Sequence, residues 1–322
     1  MATILQTDYA WPDDGIERAI LEAAGHRLVC GPAEPADAAA IEGLIAAHDP
    51  VAILTNWAQV NARAIARPTD LRIVQRLGVG LDNIAVEAAS ARGAWVANVP
   101  DYCVGEVADH AIAMLLAWAR GLIGFDRAVK DGRWTPAQAR LRRVADLTVG
   151  VVGYGRIGRN TAGKLRALGC RVLAHTRTPP TTGTDDQEFV ALTHLLEHSD
   201  AVILHLPLTV DNPHMIGSRE LAAMKPGAFL INVSRGGLID TAALIAALDR
   251  GHLSGAGLDV VEGEPSPPRE LAERTEVIMT PHVAFSSEAS ITELRRRAAQ
   301  NVVRVLAGDA PLHICNQPMR PQ

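Results

Sequence analysis

Three residues far apart in the chain have the types needed to act together on one carbonyl: Arg235, Glu264 and His282. Each follows a short apolar run: Phe229-Leu230-Ile231, Ala256-Gly257-Leu258 and Val277-Ile278-Met279. A guanidinium offers forked donors that match a carboxylate or a polarised carbonyl. An imidazole exchanges a proton near neutral pH, and a carboxylate beside it raises its pKa and fixes its tautomer. Glu262 is the rival of Glu264 for that place. Reducing a 2-keto acid requires a hydride from a nicotinamide, a proton for the carbonyl oxygen and a grip on the carboxylate. The set therefore points to hydride transfer to a small 2-keto acid. His282 is the general acid for reduction and the base for oxidation, Glu264 its partner and Arg235 the substrate-binding cation.

Upstream, Gly153-Tyr154-Gly155-Arg156-Ile157-Gly158 follows an apolar segment and opens a helical one. The first glycine permits a tight turn, the second lets backbone approach a pyrophosphate, and the third lets helix pack on strand. Amides around Arg156 and Ile157 then face the anion. The next strand, Arg171 to His175, runs into Thr176-Arg177-Thr178, where an NAD-selective site usually puts an acid. Arg177 with two threonine hydroxyls suits a 2′-phosphate, so NADP(H) is favoured and NAD(H) remains possible. His205 and Pro207 are placed at the cofactor, as are Val233 and Ser234. No metal site is expected.

In the first part of the chain, Leu77-Gly78-Val79-Gly80-Leu81-Asp82-Asn83-Ile84 follows an apolar strand. Its small residues would expose the amides of Val79 and Gly80 to an anion, although a strand-to-helix turn also uses glycine. Thr55, Asn56 and Trp57 end another strand, and Asn56 is taken as substrate-binding. Tyr102 and Phe285 are further residues for the substrate pocket.

Two series of apolar runs must position these residues. The first comprises Thr3-Ile4-Leu5, Arg27-Leu28-Val29, Val51 to Leu54, Leu71 to Val74 and Trp95-Val96-Ala97. The second begins at Leu147 to Val152 and ends at Val277-Ile278-Met279. Helix-like stretches alternate with them, which implies parallel sheets. One long helix is expected from Cys103 to Val129, after Pro100. Another runs from Ser286 to Leu306, with Ile291, Leu294, Ala298, Val302 and Leu306 on one buried face. Ser290 and Glu293 have capping-box spacing, with Ser286 or Ser287 as alternative N-caps and Gly308 as the stop. The expected fold is α/β with two doubly wound parallel-sheet domains: a Rossmann nucleotide domain (100–285) inserted into a flavodoxin-like substrate domain (1–99 plus 286–322). The ligand is expected in the cleft between them.

The 322 residues carry a net charge of -5, which offers no electrostatic footprint for nucleic acid. The basic runs Arg140 to Arg143 and Arg295 to Arg297 are expected to be solvated helix faces. The four cysteines lack CxxC or metal-type spacing and read as reduced, mostly buried thiols. No signal peptide is expected, and the longest apolar run, Ala111 to Ala119, is too short to span a bilayer. The cytoplasm is the default, without membrane partners.

At these motifs the chain resembles the D-isomer-specific 2-hydroxyacid dehydrogenases over nearly its whole length. The motifs are the Gly78 to Asn83 loop, the glycine fingerprint, His205 to Thr209, Asn232 to Gly237, Asp259 to Pro265 and Pro281-His282. The resemblance implies that Arg235 binds substrate, Glu264 pairs with His282 and His282 transfers the proton. It implies that Val79 and Gly80 take the substrate carboxylate and that Asp259 contacts the nicotinamide carboxamide. It also implies a homodimer built through the nucleotide domain, using the long helix and the arm near Trp134. Thr176, in place of an acid, resembles NADP(H)-using glyoxylate and hydroxypyruvate reductases. Glu264 argues against a formate dehydrogenase and Val79 against a phosphite dehydrogenase. Met215-Ile216-Gly217 and the segment from Pro281 to Glu288 resemble the C-terminal-binding-protein branch. That likeness gives the alternative, a nucleotide-sensing corepressor-like module without significant turnover.

Overall fold

The computed structural model describes residues 1–9, 11–179 and 187–319. The chain divides into two compact units, Met1–Tyr102 with Ser287–Gln322 and Cys103–Ser286.

The first unit holds five parallel strands: β1 (Thr3–Gln6), β2 (Arg27–Cys30), β3 (Ala52–Thr55), β4 (Ile73–Arg76) and β5 (Trp95–Ala97). Their order is β2-β1-β3-β4-β5, the flavodoxin-like order, which reverses direction between β1 and β3. Strands β3 and β4 are buried at every position, as expected of a parallel sheet covered on both faces. The helices Ala38–His48 and Ala62–Ala66 start where Asp37 and Asn61 accept the amides of Ala40 and Ala64.

The last helix of this unit, Glu288–Leu306, begins at a reciprocal cap between Ser287 and Ser290, not at the Ser290–Glu293 spacing. Leu294, Ala298 and Val302 are buried as expected. The basic run departs from expectation. Arg295 is buried and donates through Nε and an NH2 group to Glu17, which is fully buried on the helix Gly15–Ala23. Arg297 pairs with Asp101 and Glu293. Arg295 adjoins Leu294 on the packed side, where a charge persists only with a partner.

The second unit holds seven parallel strands: β6 (Thr148–Val152), β7 (Arg171–His175), β8 (Glu188–Phe189), β9 (Ala201–Leu204), β10 (Ala228–Asn232), β11 (Leu253–Leu258) and β12 (Val277–Met279). The order β12-β11-β10-β9-β6-β7-β8 is the doubly wound nucleotide-binding order with one strand added at the edge. The reversal lies between β6 and β9. The two-residue β8 had no signal in the sequence pattern.

The expected long helix is broken. Val104–Ala119 ends at Arg120, Gly121 is left-handed at φ +62°, and Leu122–Lys130 leaves at 60°. The second piece buries none of its residues, and Leu122, Ile123 and Val129 are exposed. Nor is Arg142 a solvated residue. It lies 4.3 Å over the Trp118 ring and donates to the Gly227 carbonyl, whereas Arg140 and Arg143 are exposed. No single helix among the described residues is long and apolar enough to cross a membrane.

Candidate active site

The turn after β6 shows why glycine stands at each position. Gly153 has φ +97°, and a Cβ there would strike the His205 carbonyl. A Cβ on Gly158 would strike the Gly153 carbonyl. Gly155, the N-cap of the helix Arg156–Ala167, would meet nothing within 4 Å. Two glycines are thus required by the chain's own packing, while the middle one borders open space beside helix N-terminal amides. That room, at the point where strand order reverses, fits a dinucleotide pyrophosphate.

Neighbouring loops hold this turn. His205 Nε2 lies 2.9 Å from Thr161 Oγ1. Burial pushes the His205 imidazole down to about 3, so the ring stays neutral and makes a poor proton donor. Ser234 donates through Oγ to the Leu204 carbonyl, tying the loop after β10 to β9. Val233 is buried beside it, and Pro207 is exposed. Beyond β7, Thr176 is partly buried, and Arg177 and Thr178 are exposed.

Arg235, Glu264 and His282 follow β10, β11 and β12, which are neighbours at one end of the sheet. Glu264 Oε2 lies 2.8 Å from His282 Nδ1, and the two side chains are 33% and 25% exposed. Glu262 instead lies 2.6 Å from His214 Nε2 and accepts the Thr241 amide. The two carboxylates of one loop therefore serve different partners. Asn232 Nδ2 donates to the Arg235 carbonyl, and Arg235 donates to the Ser234 carbonyl. His282 is left-handed at φ +53°, and its amide donates to the carbonyl of Asp259 at 2.8 Å.

In the first unit, the Gly78-Val79-Gly80 loop follows β4. Gly78 has φ +155°, and a Cβ there would sit 2.8 Å from the Arg76 guanidinium. Val79 is 36% exposed, with its carbonyl held by Asn98 Nδ2. Asn56 is buried, its Oδ1 accepting from Arg76 at 3.1 Å. Its backbone amide donates to Asp8, as do those of Trp57 and Ala58.

A family model described as "D-isomer specific 2-hydroxyacid dehydrogenase, NAD binding domain" matches residues 112–284. The chain belongs to that family. The dehydrogenase is 39% identical to the glyoxylate reductase of Thermococcus gammatolerans over 256 residues, 77% of each chain. Among solved structures it resembles an NADPH-dependent glyoxylate/hydroxypyruvate reductase of Sinorhizobium meliloti, in complex with NADP and malonate. The TM-score is 0.86 at 31% identity, covering 100% of this chain and 99% of that one. The D-lactate dehydrogenase of Aquifex aeolicus, complexed with NAD and lactic acid, gives a TM-score of 0.84 at 26% identity, covering 95% and 96%. The protein is an oxidoreductase that binds NAD(P), and the corepressor-like alternative is not favoured.

Two buried or partly buried residues of the dehydrogenase, Asp8 and His110, had not stood out in the sequence. Asp8 follows β1 at the reversal point of its sheet, a position that could have drawn attention to it. Asp259, which the resemblance sets at the nicotinamide, is 2% exposed, and its carboxylate accepts from Thr280, Val283 and Ala284. His110 reaches Thr280 from the helix Val104–Ala119 and carried no sequence signal.

Proposed function

We propose that the dehydrogenase reversibly reduces a small 2-keto acid of the glyoxylate or hydroxypyruvate class to the D-2-hydroxy acid, with NADPH preferred over NADH. The observation that carries this reading is the 2.8 Å His282–Glu264 contact beside the strand end bearing Arg235. When bound, the nicotinamide supplies the hydride. Arg235 holds the substrate carboxylate and polarises the carbonyl. Because Glu264 holds Nδ1, proton exchange with the carbonyl oxygen falls to His282 Nε2, and the imidazolium formed in oxidation is stabilised by the carboxylate.

In this reading residues 1–99 with 286–322 form the substrate domain, whose Val79 and Gly80 amides add donors for the carboxylate. Residues 100–285 form the nucleotide domain, where Gly153, Gly155, Arg156, Ile157 and Gly158 receive the pyrophosphate. Arg177, between Thr176 and Thr178, meets the 2′-phosphate, and its exposure after β7 suits that role. Exposed Leu122, Ile123, Val129 and Trp134 support a homodimer built on the nucleotide domain, since such a run of apolar side chains marks an interface. The enzyme works in the cytoplasm.

The test is loss of nicotinamide absorbance with a panel of 2-keto acids and each reduced cofactor. Turnover with a short keto acid, at higher kcat/KM with NADPH, is expected. A folded, nucleotide-binding protein inert to every keto acid would overturn the reading.

A further inference from the structure

We infer that His110 is a positioning residue for His282, acting through the Thr280 hydroxyl and the Asp259 carboxylate. The inference rests on His282 being the proton donor and extends that reading to a residue on another element.

Hydrogen-bond polarity carries the argument. Thr280 Oγ1 lies 2.6 Å from Asp259 Oδ1 and 2.9 Å from His110 Nε2. A hydroxyl has one proton, and an ionised carboxylate only accepts. The Thr280 proton therefore goes to Asp259, and toward His110 the hydroxyl oxygen accepts. His110 must carry its proton on Nε2 and donate. The direct distance from His110 Nε2 to Asp259 Oδ1 is 3.7 Å, beyond a hydrogen bond, so the histidine reaches the carboxylate through the threonine.

The same carboxylate organises the segment that bears His282. Oδ1 also accepts the Val283 amide and Oδ2 the Ala284 amide, each at 2.9 Å. The Asp259 carbonyl accepts the His282 amide. Residues 280–284 are thus gathered around one buried aspartate, with His282 left-handed at φ +53° in their midst. A non-glycine residue holds that conformation only where its surroundings over-determine it. The hydrogen bonds of the Asp259 side chain come from within this short segment, and His110 reaches Thr280 from the helix Val104–Ala119. It fixes the rotor of Thr280, and through it the carboxylate that sets the His282 backbone.

The experiment is steady-state keto-acid reduction by the full chain carrying His110→Ala, Thr280→Val, Thr280→Ser, His282→Ala and the double variants. His110→Ala and Thr280→Val should each lower kcat about 10- to 100-fold, the scale of a misplaced catalytic group, with keto-acid KM and NADPH affinity within about threefold. Thr280→Ser, which keeps the hydroxyl, should restore kcat. The double variant His110→Ala/Thr280→Val should be no slower than Thr280→Val alone, because both break one chain of bonds. On a His282→Ala background, His110→Ala should cost nothing more. Unchanged kcat in His110→Ala, multiplying effects in the double variant, or a serine variant as slow as the valine one would overturn the inference. NADPH binding reports folding, and if Thr280→Val does not bind, His110→Ala with the His282→Ala background decides. Wild-type turnover in His282→Ala would sink the proton-donor reading itself. A crippled His282→Ala beside a normal His110→Ala would sink this inference alone.

Discussion

The carboxyl ends of the two parallel sheets are built on opposite plans. In the seven-stranded sheet the loops after β11 and β12 leave Glu264 and His282 a third and a quarter exposed, so side chains are available for chemistry. In the five-stranded sheet the polar side chains at the strand ends are withdrawn: Asp8, Asn56, Arg76 and Asn83 are 0%, 3%, 7% and 6% exposed. Asp8 receives three consecutive amides, Asn83 donates to two carbonyls, and Arg76 lies beneath Gly78. Val79, in the loop these residues support, is 36% exposed. One edge leaves a carboxylate and an imidazole partly exposed and paired. The other uses its side chains to hold the loops that follow its strands. Truncating a side chain should therefore have different consequences at the two edges.

The largest effect should come from His282→Ala, a fall of ~10²–10⁴ in kcat, while Val79→Ala changes kcat/KM by no more than about twofold because the amide remains. Comparable losses from both, in the same assay, would break the contrast. Asp8→Ala should act first on stability. It leaves buried amides unpaired, costing roughly 3 kcal/mol in denaturant unfolding and raising keto-acid KM, with the NADPH dissociation constant unchanged. A stability loss below about 1 kcal/mol would mean that the Asp8 knot does not hold the edge. Arg177→Ala should raise KM for NADPH roughly tenfold and leave KM for NADH nearly unaltered, as expected for one lost charge-assisted contact. Equal changes with both cofactors would remove the 2′-phosphate from the reading.

The smallest effect concerns the tie between His214 and Glu262, which joins the loop after β9 to the loop after β11. The hydrogen bond that His214 donates to Glu262 raises the His214 pKa above 6.5. Its stabilisation is complete below pH 6.5 and is lost as pH rises through the raised folded value. Burial raises the Glu262 pKa, but its bonds with Thr241 and His214 outweigh this and hold it below 4.5. Its contribution is present above pH 4.5 and is lost as pH falls through the lowered value. With His214 49% exposed, solvent screens most of the gain. The wild-type advantage over His214→Gln in thermal unfolding should be a few tenths of a kcal/mol near pH 6 and vanish by pH 9. An advantage that grows with pH would refute the assignment.

Apolar runs made the sheet strands legible because strands buried on both faces must be apolar nearly throughout, as β9 and β10 are. The glycine turn was legible because steric demand is local: only glycine avoids the collisions at positions 153 and 158. The helix break at Gly121 was not, since the apolar residues continue through it and the left-handed glycine, where an added Cβ would crowd Phe125, interrupts the run. Nor was the burial of Arg295, because an arginine run reads as solvated until its partner, Glu17, is brought to it from far along the chain.

By itself, the order of residues determined the parallel α/β architecture, the glycine turn and the placing of an arginine, a pair of glutamates and a histidine after successive strands, because these depend on short-range sterics, on periodicity and on side-chain chemistry. Only the tertiary structure decided that Glu264 and not Glu262 meets His282, that Asp259 faces inward to the segment bearing His282, and that His110 stands behind Thr280. Those choices turn on differences of a few ångströms between loops from separate strands. Hydrogen bonds are directional and fall off within such distances, so no local pattern in the chain encodes which partner is met.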